Sequence, residues 1–136
     1  MKTFPEFLEG DRFAAHCGIE LVSVAKGRAV ARMTIGAEHL NAVGIVQGGA
    51  IFTLADFAFA AASNSHGTVA VAVNVSITFM KSAATGTLTA SAREISLNPK
   101  LGSYAVDVTD EAGNLIATFQ GLVYRKSQPV GAAPVA

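Results

Sequence analysis

Residues 48–65 read GGAIFTLADFAFAAASNS, an apolar stretch with one charged side chain, Asp56, at its centre. A helix that is apolar around its whole circumference belongs in a protein interior, so the stretch predicts a buried central helix. An ionised carboxylate in such a place is costly unless a partner or water stabilises it. Asp56 is therefore a candidate functional residue. The alternative is a structural carboxylate that is bonded to a hydroxyl or paired with an arginine.

The same stretch begins with Gly48 and Gly49, which have no side chains to obstruct the free N–H groups at the positive end of a helix. Such an end suits a phosphate, a carboxylate or an oxyanion, although the glycines could simply permit a tight turn. Eight residues separate Gly48 from Asp56, which is about 12 Å along a helix axis. The two groups can meet at one substrate only if a second helix lies antiparallel nearby, as in a two-fold symmetric dimer.

Composition narrows the class of protein. The chain has 136 residues, enough for one domain, and its 10 basic and 10 acidic residues give no net charge, which argues against a nucleic-acid-binding protein. Charged residues make up only 15%, against about 25% in an average soluble domain, which predicts surface covered in an oligomer. With no signal peptide and no apolar run of membrane-spanning length, we expect a cytoplasmic protein with no membrane partner.

The remaining patterns predict one α+β domain over residues 1–126, in which a curved antiparallel sheet wraps around the central helix. A flexible C-terminal tail is predicted at 127–136. We expect a first helix at 5–17, a loop at 36–47, and strands at 19–25, 28–35, 69–80, 85–97, 104–109 and 115–125. Cys17 is the only cysteine and the three histidines are scattered, so no metal site is expected.

Several polar residues near the helix could take part in a site. Asn41 and Gln47 each carry an amide N–H that could be donated to a substrate carbonyl, although such residues usually satisfy loop backbone groups. Thr53, one turn before Asp56, could orient that carboxylate or bond the helix backbone. His66 precedes Gly67 in a pattern typical of a helix C-terminal cap.

Residues 41–60, NAVGIVQGGAIFTLADFAFA, strongly resemble the signature of hotdog-fold acyl-CoA thioesterases, in particular the phenylacetyl-CoA (PaaI-like) branch. The resemblance covers about residues 15–126 and implies a sheet wrapped around a central helix. It also implies a homodimer, often paired into a homotetramer, with active sites between subunits. In this family Asp56 matches the general base or nucleophile, Gly48 the backbone N–H that polarises the thioester carbonyl, and Asn41 an amide on the carbonyl side.

Two positions depart from the family pattern. Gln47 stands where a histidine usually precedes the glycine pair; it can donate a hydrogen bond but does not titrate. Ala72 stands where some relatives carry a hydroxyl that holds the attacking water. These departures motivate an alternative, a hotdog module that binds acyl-CoA as a sensor or carrier without cleaving it. A dehydratase of the same fold, which usually pairs a histidine with a carboxylate, is a third class.

The expected reaction is hydrolysis of a small aromatic or short to medium aliphatic acyl-CoA to the free acid and coenzyme A. A thiol has a pKa of about 8.5, so its thiolate leaves readily, and a carboxylate with backbone N–H groups suffices. Coenzyme A is part of the substrate, and no separate cofactor is expected. Beside the catalytic set Asp56, Gly48, Asn41 and Gln47, the predicted substrate-binding residues are Gly49, Phe52, Thr53, Phe57, Phe59, Ala72, Asn74 and Lys81. The candidates for binding the CoA phosphates are Lys81, Arg93, Lys100 and Arg125.

Overall fold

The computed structural model describes residues 3–131. Two short helices precede a six-stranded sheet, and one long helix interrupts the strands after the first hairpin. The elements are α1 (Phe4–Glu9), α2 (Arg12–His16), β1 (Ile19–Ala25), β2 (Arg28–Thr34), a 3₁₀ turn (Ala37–His39), α3 (Gly48–Asn64), β3 (Thr68–Phe79), β4 (Thr87–Leu97), β5 (Leu101–Thr109) and β6 (Leu115–Pro129).

The six strands form one sheet in the order β1-β2-β4-β5-β6-β3, and every pair is antiparallel. Helix α3 packs against all six strands. Period-two alternation turns one side chain in two toward α3, and Ala31, Leu88, Ala90 and Val106 are fully buried there. The predicted α+β arrangement, an antiparallel sheet around a central helix, is confirmed.

Phe59 anchors α3 to the sheet. Its ring lies 5.7 Å from the Tyr104 ring and 5.4 Å from the Phe119 ring, centroid to centroid, and it is 2% exposed. A Cβ at Gly121 would lie 2.5 Å from this ring, so only glycine lets the helix approach β6 so closely. The prediction that Phe59 lines an acyl pocket is wrong, because aromatic neighbours on the sheet enclose it as a core residue.

The C-terminal end of α3 is held by side chains. Asn64 Nδ2 donates to the Ala60 carbonyl (2.9 Å), and its Oδ1 accepts from Ala70 N (3.0 Å). Ser65 Oγ donates to the Ala62 carbonyl (2.6 Å). The sequence predicted that His66 caps this end of the helix, and that prediction is wrong. Its Nε2 lies 2.7 Å from Glu94 Oε1 instead.

The chain ends depart from the predicted boundaries. The helix expected at 5–17 is broken into α1 and α2, because Asp11 takes a non-helical conformation as the N-cap of α2 and accepts from Ala14 N (3.0 Å). Strand β6 continues to Pro129, and Val130 is buried and donates to the Gly67 carbonyl (3.0 Å). The prediction of a flexible tail from residue 127 is therefore wrong for residues 127–130. Residues 132–136 lie outside the described residues.

Candidate active site

The N-terminal end of α3 is left open. Gln47 is the N-cap with an extended backbone, and no side chain accepts a hydrogen bond from the first turn. Ala50 N and Ile51 N donate to the Gln47 carbonyl, whereas within residues 3–131 the N–H groups of Gly48 and Gly49 have no acceptor. Two unpaired donors at the positive end of a helix are chemically suited to an anionic oxygen.

Close packing explains both glycines. A Cβ at Gly48 would lie 2.9 Å from Cζ of Phe79, the last residue of β3, and one at Gly49 would lie 2.9 Å from Gln47 Oε1. The Gln47 side chain therefore folds across Gly49, and the Phe79 ring covers Gly48. Side chains at these positions would displace the groups that surround the open donors.

Asn41 shapes the loop before the helix and keeps a donor free. Its Oδ1 accepts hydrogen bonds from the backbone N–H groups of Val43 (3.0 Å) and Ile45 (3.3 Å), which fixes the orientation of the amide. Its Nδ2 has no acceptor within the described part of the chain. Asn41 thus satisfies loop backbone groups and still presents an N–H, so the two roles considered from the sequence are compatible.

A cleft of about 510 Å³ opens beside the helix start. Its lining includes Gln47, Gly49, Phe52 and Thr53 together with residues of the N-terminal helices, Phe13, His16 and Cys17. The Thr53 hydroxyl donates to the Gly49 carbonyl (2.7 Å) one turn earlier. Of the two roles considered for Thr53, the structure supports bonding to the helix backbone rather than orientation of Asp56.

Asp56 is a half-buried carboxylate without a protein partner. No donor among residues 3–131 forms a hydrogen bond or an ion pair with it, so neither a hydroxyl nor an arginine fixes it as a structural group. Burial raises the pKa of Asp56, and the negative charge of Asp11 raises it further. A carboxylate that holds its proton more tightly than usual is also a better proton acceptor.

The unpaired N–H groups of Gly48 and Gly49 and the carboxylate of Asp56 lie on the same helix. Both belong to α3, which runs without interruption over Gly48–Asn64. Eight residues of helix separate them by about 12 Å. One thioester carbonyl cannot contact both groups of a single copy.

The predicted lining residues divide between three surfaces. Phe52 contacts the Phe119 ring edge-on (5.6 Å) beside the open helix end, whereas Phe57 lines a separate cleft of about 440 Å³ beneath α1 and α2.

Ala72 is exposed on β3. Asn74 lines the outer face of the sheet with Ser76, Ser103 and Gln120. Asn74 therefore does not share a surface with Phe52 or Gly49 within one copy, and its place in a site between two copies stays a prediction.

The four candidate phosphate ligands are likewise dispersed. Lys100 and Arg125 share a cleft of about 460 Å³ with Lys126, and Lys100 Nζ lies 5.9 Å from the Tyr124 ring centroid. Arg93 is instead 3.7 Å from the Asp107 carboxylate. Lys81 is exposed just after β3; hydrogen bonds from Asn114 and Ala112 lower the pKa of Asp110, and the charge of Lys81 lowers it further.

Comparison with known proteins agrees with this geometry. The thioesterase superfamily profile matches residues 43–117, which include the open helix end and Asp56. This chain belongs to the thioesterase superfamily. The acyl-coenzyme A thioesterase PaaI of Escherichia coli is 37% identical over 118 residues, which cover 86% of this chain and 84% of that protein. Human acyl-coenzyme A thioesterase 13 is 35% identical over 103 residues, which cover 73% of this chain and 74% of that protein.

Solved structures confirm the hotdog fold. The E. coli PaaI structure superposes with a TM-score of 0.89 at 35% identity, covering 92% of this chain and 91% of that one. The Streptococcus mutans protein smu.793, solved bound to acetyl CoA, superposes with a TM-score of 0.78 at 27% identity and covers 82% and 90%. The resemblance to PaaI-like thioesterases that the motif suggested is therefore confirmed.

Sequence reasoning missed three residues around these groups. Phe79 covers Gly48, Asp11 adds its charge to the surroundings of Asp56, and the buried His39 supports the loop before α3. The first two meet α3 only through the tertiary fold, and the periodic patterns carry no signal for them. His39 lies two residues before Asn41, and that proximity was the available clue.

Within residues 3–131 no cluster of His, Cys, Asp or Glu suits a metal ion, and no helix has the length and apolar character of a membrane span.

Proposed function

We propose that this protein is an acyl-CoA thioesterase in which Asp56 promotes attack on the thioester carbonyl. The observation that carries the proposal is a half-buried carboxylate with a raised pKa and no protein partner, set in the thioesterase-family motif. Relatives named acyl-CoA thioesterases, and a homologous structure bound to acetyl CoA, support coenzyme A as the thiol portion of the substrate.

The chemistry follows from the groups present. A water molecule attacks the carbonyl carbon and gives a proton to the Asp56 carboxylate. The carbonyl oxygen becomes an oxyanion, which the N–H groups of Gly48 and Asn41 stabilise. The C–S bond then breaks, coenzyme A leaves as the thiolate, and the Asp56 proton passes to the thiolate or solvent. Direct attack by Asp56 would give a mixed anhydride instead. Single turnover in ¹⁸O-water detects direct attack when water opens the anhydride at the Asp56 carboxyl carbon, because the first product then carries an oxygen from Asp56 instead of one from water.

We propose further that the site is shared between two copies of the chain. The separation of Gly48 from Asp56 on one helix requires it, since a second α3 must bring its Asp56 to the first helix start. Strand β3 provides a suitable contact: it is twelve residues long, lies at the edge of the sheet, and exposes Val71 and Val73. A long apolar edge strand is normally covered by pairing with another strand.

The finer assignments have separate grounds. Pairing of dimers into a homotetramer is proposed from the resemblance, and a cytoplasmic location from composition. The half-buried Phe52 beside the open donors supports a small aromatic or short to medium aliphatic acyl group. We propose Lys100 and Arg125, which share one basic cleft, for binding the CoA phosphates. The proposed reaction uses no cofactor, because protein groups and water supply each step.

An acyl-CoA panel tests the proposal. Release of free thiol is measured for wild type and Asp56→Asn with phenylacetyl-, butyryl- and octanoyl-CoA, while calorimetry measures binding of the same compounds. Turnover by wild type that is lost in Asp56→Asn with binding retained supports the thioesterase. Tight binding without turnover by wild type would contradict it and favour the acyl-CoA-binding module that Gln47 and Ala72 suggested.

A further inference from the structure

His39 is the one buried histidine among residues 3–131, and the proposed chemistry does not use it. It is 4% exposed and closes the 3₁₀ turn Ala37–His39 just before Asn41. Its Nδ1 lies 2.9 Å from Gly36 N, and its Nε2 lies 2.7 Å from the carbonyl oxygen of Cys17. Both ring nitrogens are therefore occupied by backbone groups.

These partners determine which ring nitrogen accepts a hydrogen bond and which one donates. A backbone N–H can only donate, so Nδ1 must accept from Gly36; a carbonyl can only accept, so Nε2 must carry the proton. The ring joins two parts of the chain that are distant in sequence. One is the C-cap of α2, whose carbonyl would otherwise be an unpaired helix-end group. The other is the loop at 36–47.

The backbone of His39 continues this connection to the open helix end. Gln47 N donates to the His39 carbonyl (2.8 Å), and Leu40 and Val46 form an isolated antiparallel bridge beside it. The next residue is Gly48. A chain of two short hydrogen bonds thus runs from α2 through His39 to the residue that precedes the unpaired donors.

We propose that His39 is a positioning residue that holds Gln47 and the Gly48 N–H in place by linking them to α2. The proposal rests on the proposed thioesterase function. A buried, fully bonded ring is stiff, and a misplacement of about 1 Å in a catalytic group costs as much as about 100-fold in rate. His39 lines the same cleft as Gln47 and Gly49, but both of its ring nitrogens are bonded to backbone groups, so we assign it to positioning through the loop rather than to the reaction itself.

Substitutions can separate the two bonds of the ring. In His39→Gln the side-chain amide reaches the place of Nε2 and can donate to Cys17, whereas in His39→Asn the oxygen takes the place of Nδ1 and accepts only from Gly36. His66→Ala is the matched control, because His66 also makes a 2.7 Å hydrogen bond but at the other end of α3. All variants are compared at a temperature at which circular dichroism finds them fully folded.

The expected result is a fall in kcat of about 10- to 100-fold for His39→Ala, with KM within about threefold of wild type and partial recovery in His39→Gln but not in His39→Asn. His66→Ala should keep its kcat within about twofold. Unchanged kcat in folded His39→Ala, equal losses in His39→Ala and His66→Ala, or full activity in His39→Asn would each overturn the link to α2.

A second measurement does not depend on catalysis. Hydrogen–deuterium exchange should show faster exchange of the peptide at 40–50 in His39→Ala than in wild type, with the peptide at 62–70 unchanged, and the reverse in His66→Ala. Equal protection of 40–50 in wild type and His39→Ala would overturn the proposal. Absence of thioesterase activity in wild type would instead count against the proposed function, and the exchange result would still decide whether His39 holds the loop.

Discussion

At its C-terminal end α3 is bonded by Asn64 and Ser65, and Ser65 Oγ also accepts from Gly27 N (2.8 Å). Beyond it, His66 and Tyr104 both bond Glu94 Oε1 at 2.7 Å. At its N-terminal end, Gly48 and Gly49 keep unpaired N–H groups, and Asp56, two turns in, has no partner among residues 3–131. The polar groups at one end of the helix are thus bonded within the chain, while those at the other end have no partner among the described residues.

The difference separates the two roles that we propose for one helix, function toward its N-terminal end and stability at its C-terminal end. Leaving polar groups unpaired costs stability that a ligand or a second copy can recover, whereas satisfied groups hold the helix against the sheet. Substitutions at the N-terminal half should therefore lower activity more than stability, and substitutions at the C-terminal end should do the reverse.

The largest effect is expected at Asp56. Asp56→Asn should lower kcat by about 10²- to 10⁴-fold, the range for loss of a general base. The same variant should unfold at a higher denaturant concentration than wild type at neutral pH, because it removes a charge that burial disfavours. Loss of activity together with a gain in stability is expected only of a group kept for function. A destabilised Asp56→Asn would contradict that view of the carboxylate.

The pH dependence of Asp56 follows from its raised pKa. The folded protein binds this proton more tightly than the unfolded chain, so stability falls as pH rises through the folded pKa. The stability advantage of Asp56→Asn should be full above that pKa and vanish below the ordinary pKa of an aspartate. In wild type, kcat/KM should fall on the acid side with a midpoint above the ordinary aspartate value. An acid limb with the same midpoint in Asp56→Asn would assign the titration to another group.

A smaller loss is expected at Asn41. Asn41→Asp keeps the oxygen that accepts from Val43 and Ile45 but removes the Nδ2 donor. If Nδ2 stabilises the oxyanion, kcat should fall by about 10²-fold while thermal unfolding changes little. Asn41→Ala is the control for the loop, since it also removes the acceptor and should lower the unfolding temperature. Full activity in Asn41→Asp would remove Asn41 from the site.

The C-terminal end should respond in the opposite sense. Tyr104→Phe removes a hydrogen bond to Glu94 and should lower the free energy of unfolding by about 1–2 kcal/mol, with kcat within about twofold of wild type.

Burial raises the pKa of Glu94, but hydrogen bonds from Tyr104 and His66, together with nearby positive charge, bring this pKa below its ordinary value. The stability that Glu94 contributes is therefore present above its unfolded pKa and lost as pH falls through the folded pKa. Urea unfolding at several pH values checks both expectations, and a large loss of kcat would contradict the division of the helix.

The smallest effect is expected at Thr53. Its hydroxyl bonds the Gly49 carbonyl rather than Asp56, so Thr53→Val, which keeps the shape, should change kcat by less than about threefold. Thr53→Ser, which keeps the hydroxyl, is the control. A loss of kcat in Thr53→Val as large as that of Asp56→Asn would show that Thr53 orients the carboxylate.

The sequence predicted what depends on local pattern. The apolar run around Asp56 gave α3 as one helix, and alternation along Val69, Val71 and Val73 gave the long β3. Contacts between distant segments were missed. The bond between Val130 and Gly67 extends β6, and Gly121 makes room for Phe59, so the strand end and the core role of that ring depend on the folded sheet.

For the candidate site, the sequence supplied residue types but not their contacts. The motif placed Gly48, Asn41 and Asp56, but only the fold shows which atom of Asn41 is free and that Asp56 has no partner. Asn74 was predicted as a substrate-binding residue, and a register shift between Ala72 and Asn74 puts its side chain on the outer face of the sheet. Such a shift leaves no mark in a period-two pattern.

Complementation between two inactive variants tests the central claim, a site formed by Asp56 of one copy and the open helix end of another. Asp56→Asn and Asn41→Asp are each nearly inactive alone, and random pairing of an equal mixture leaves about one site in four with both native groups. Co-expressed in one cell, they should recover about a quarter of the wild-type activity. Recovery no greater than the sum of the separate variants, in a preparation shown to contain mixed dimers, would contradict a site shared between copies.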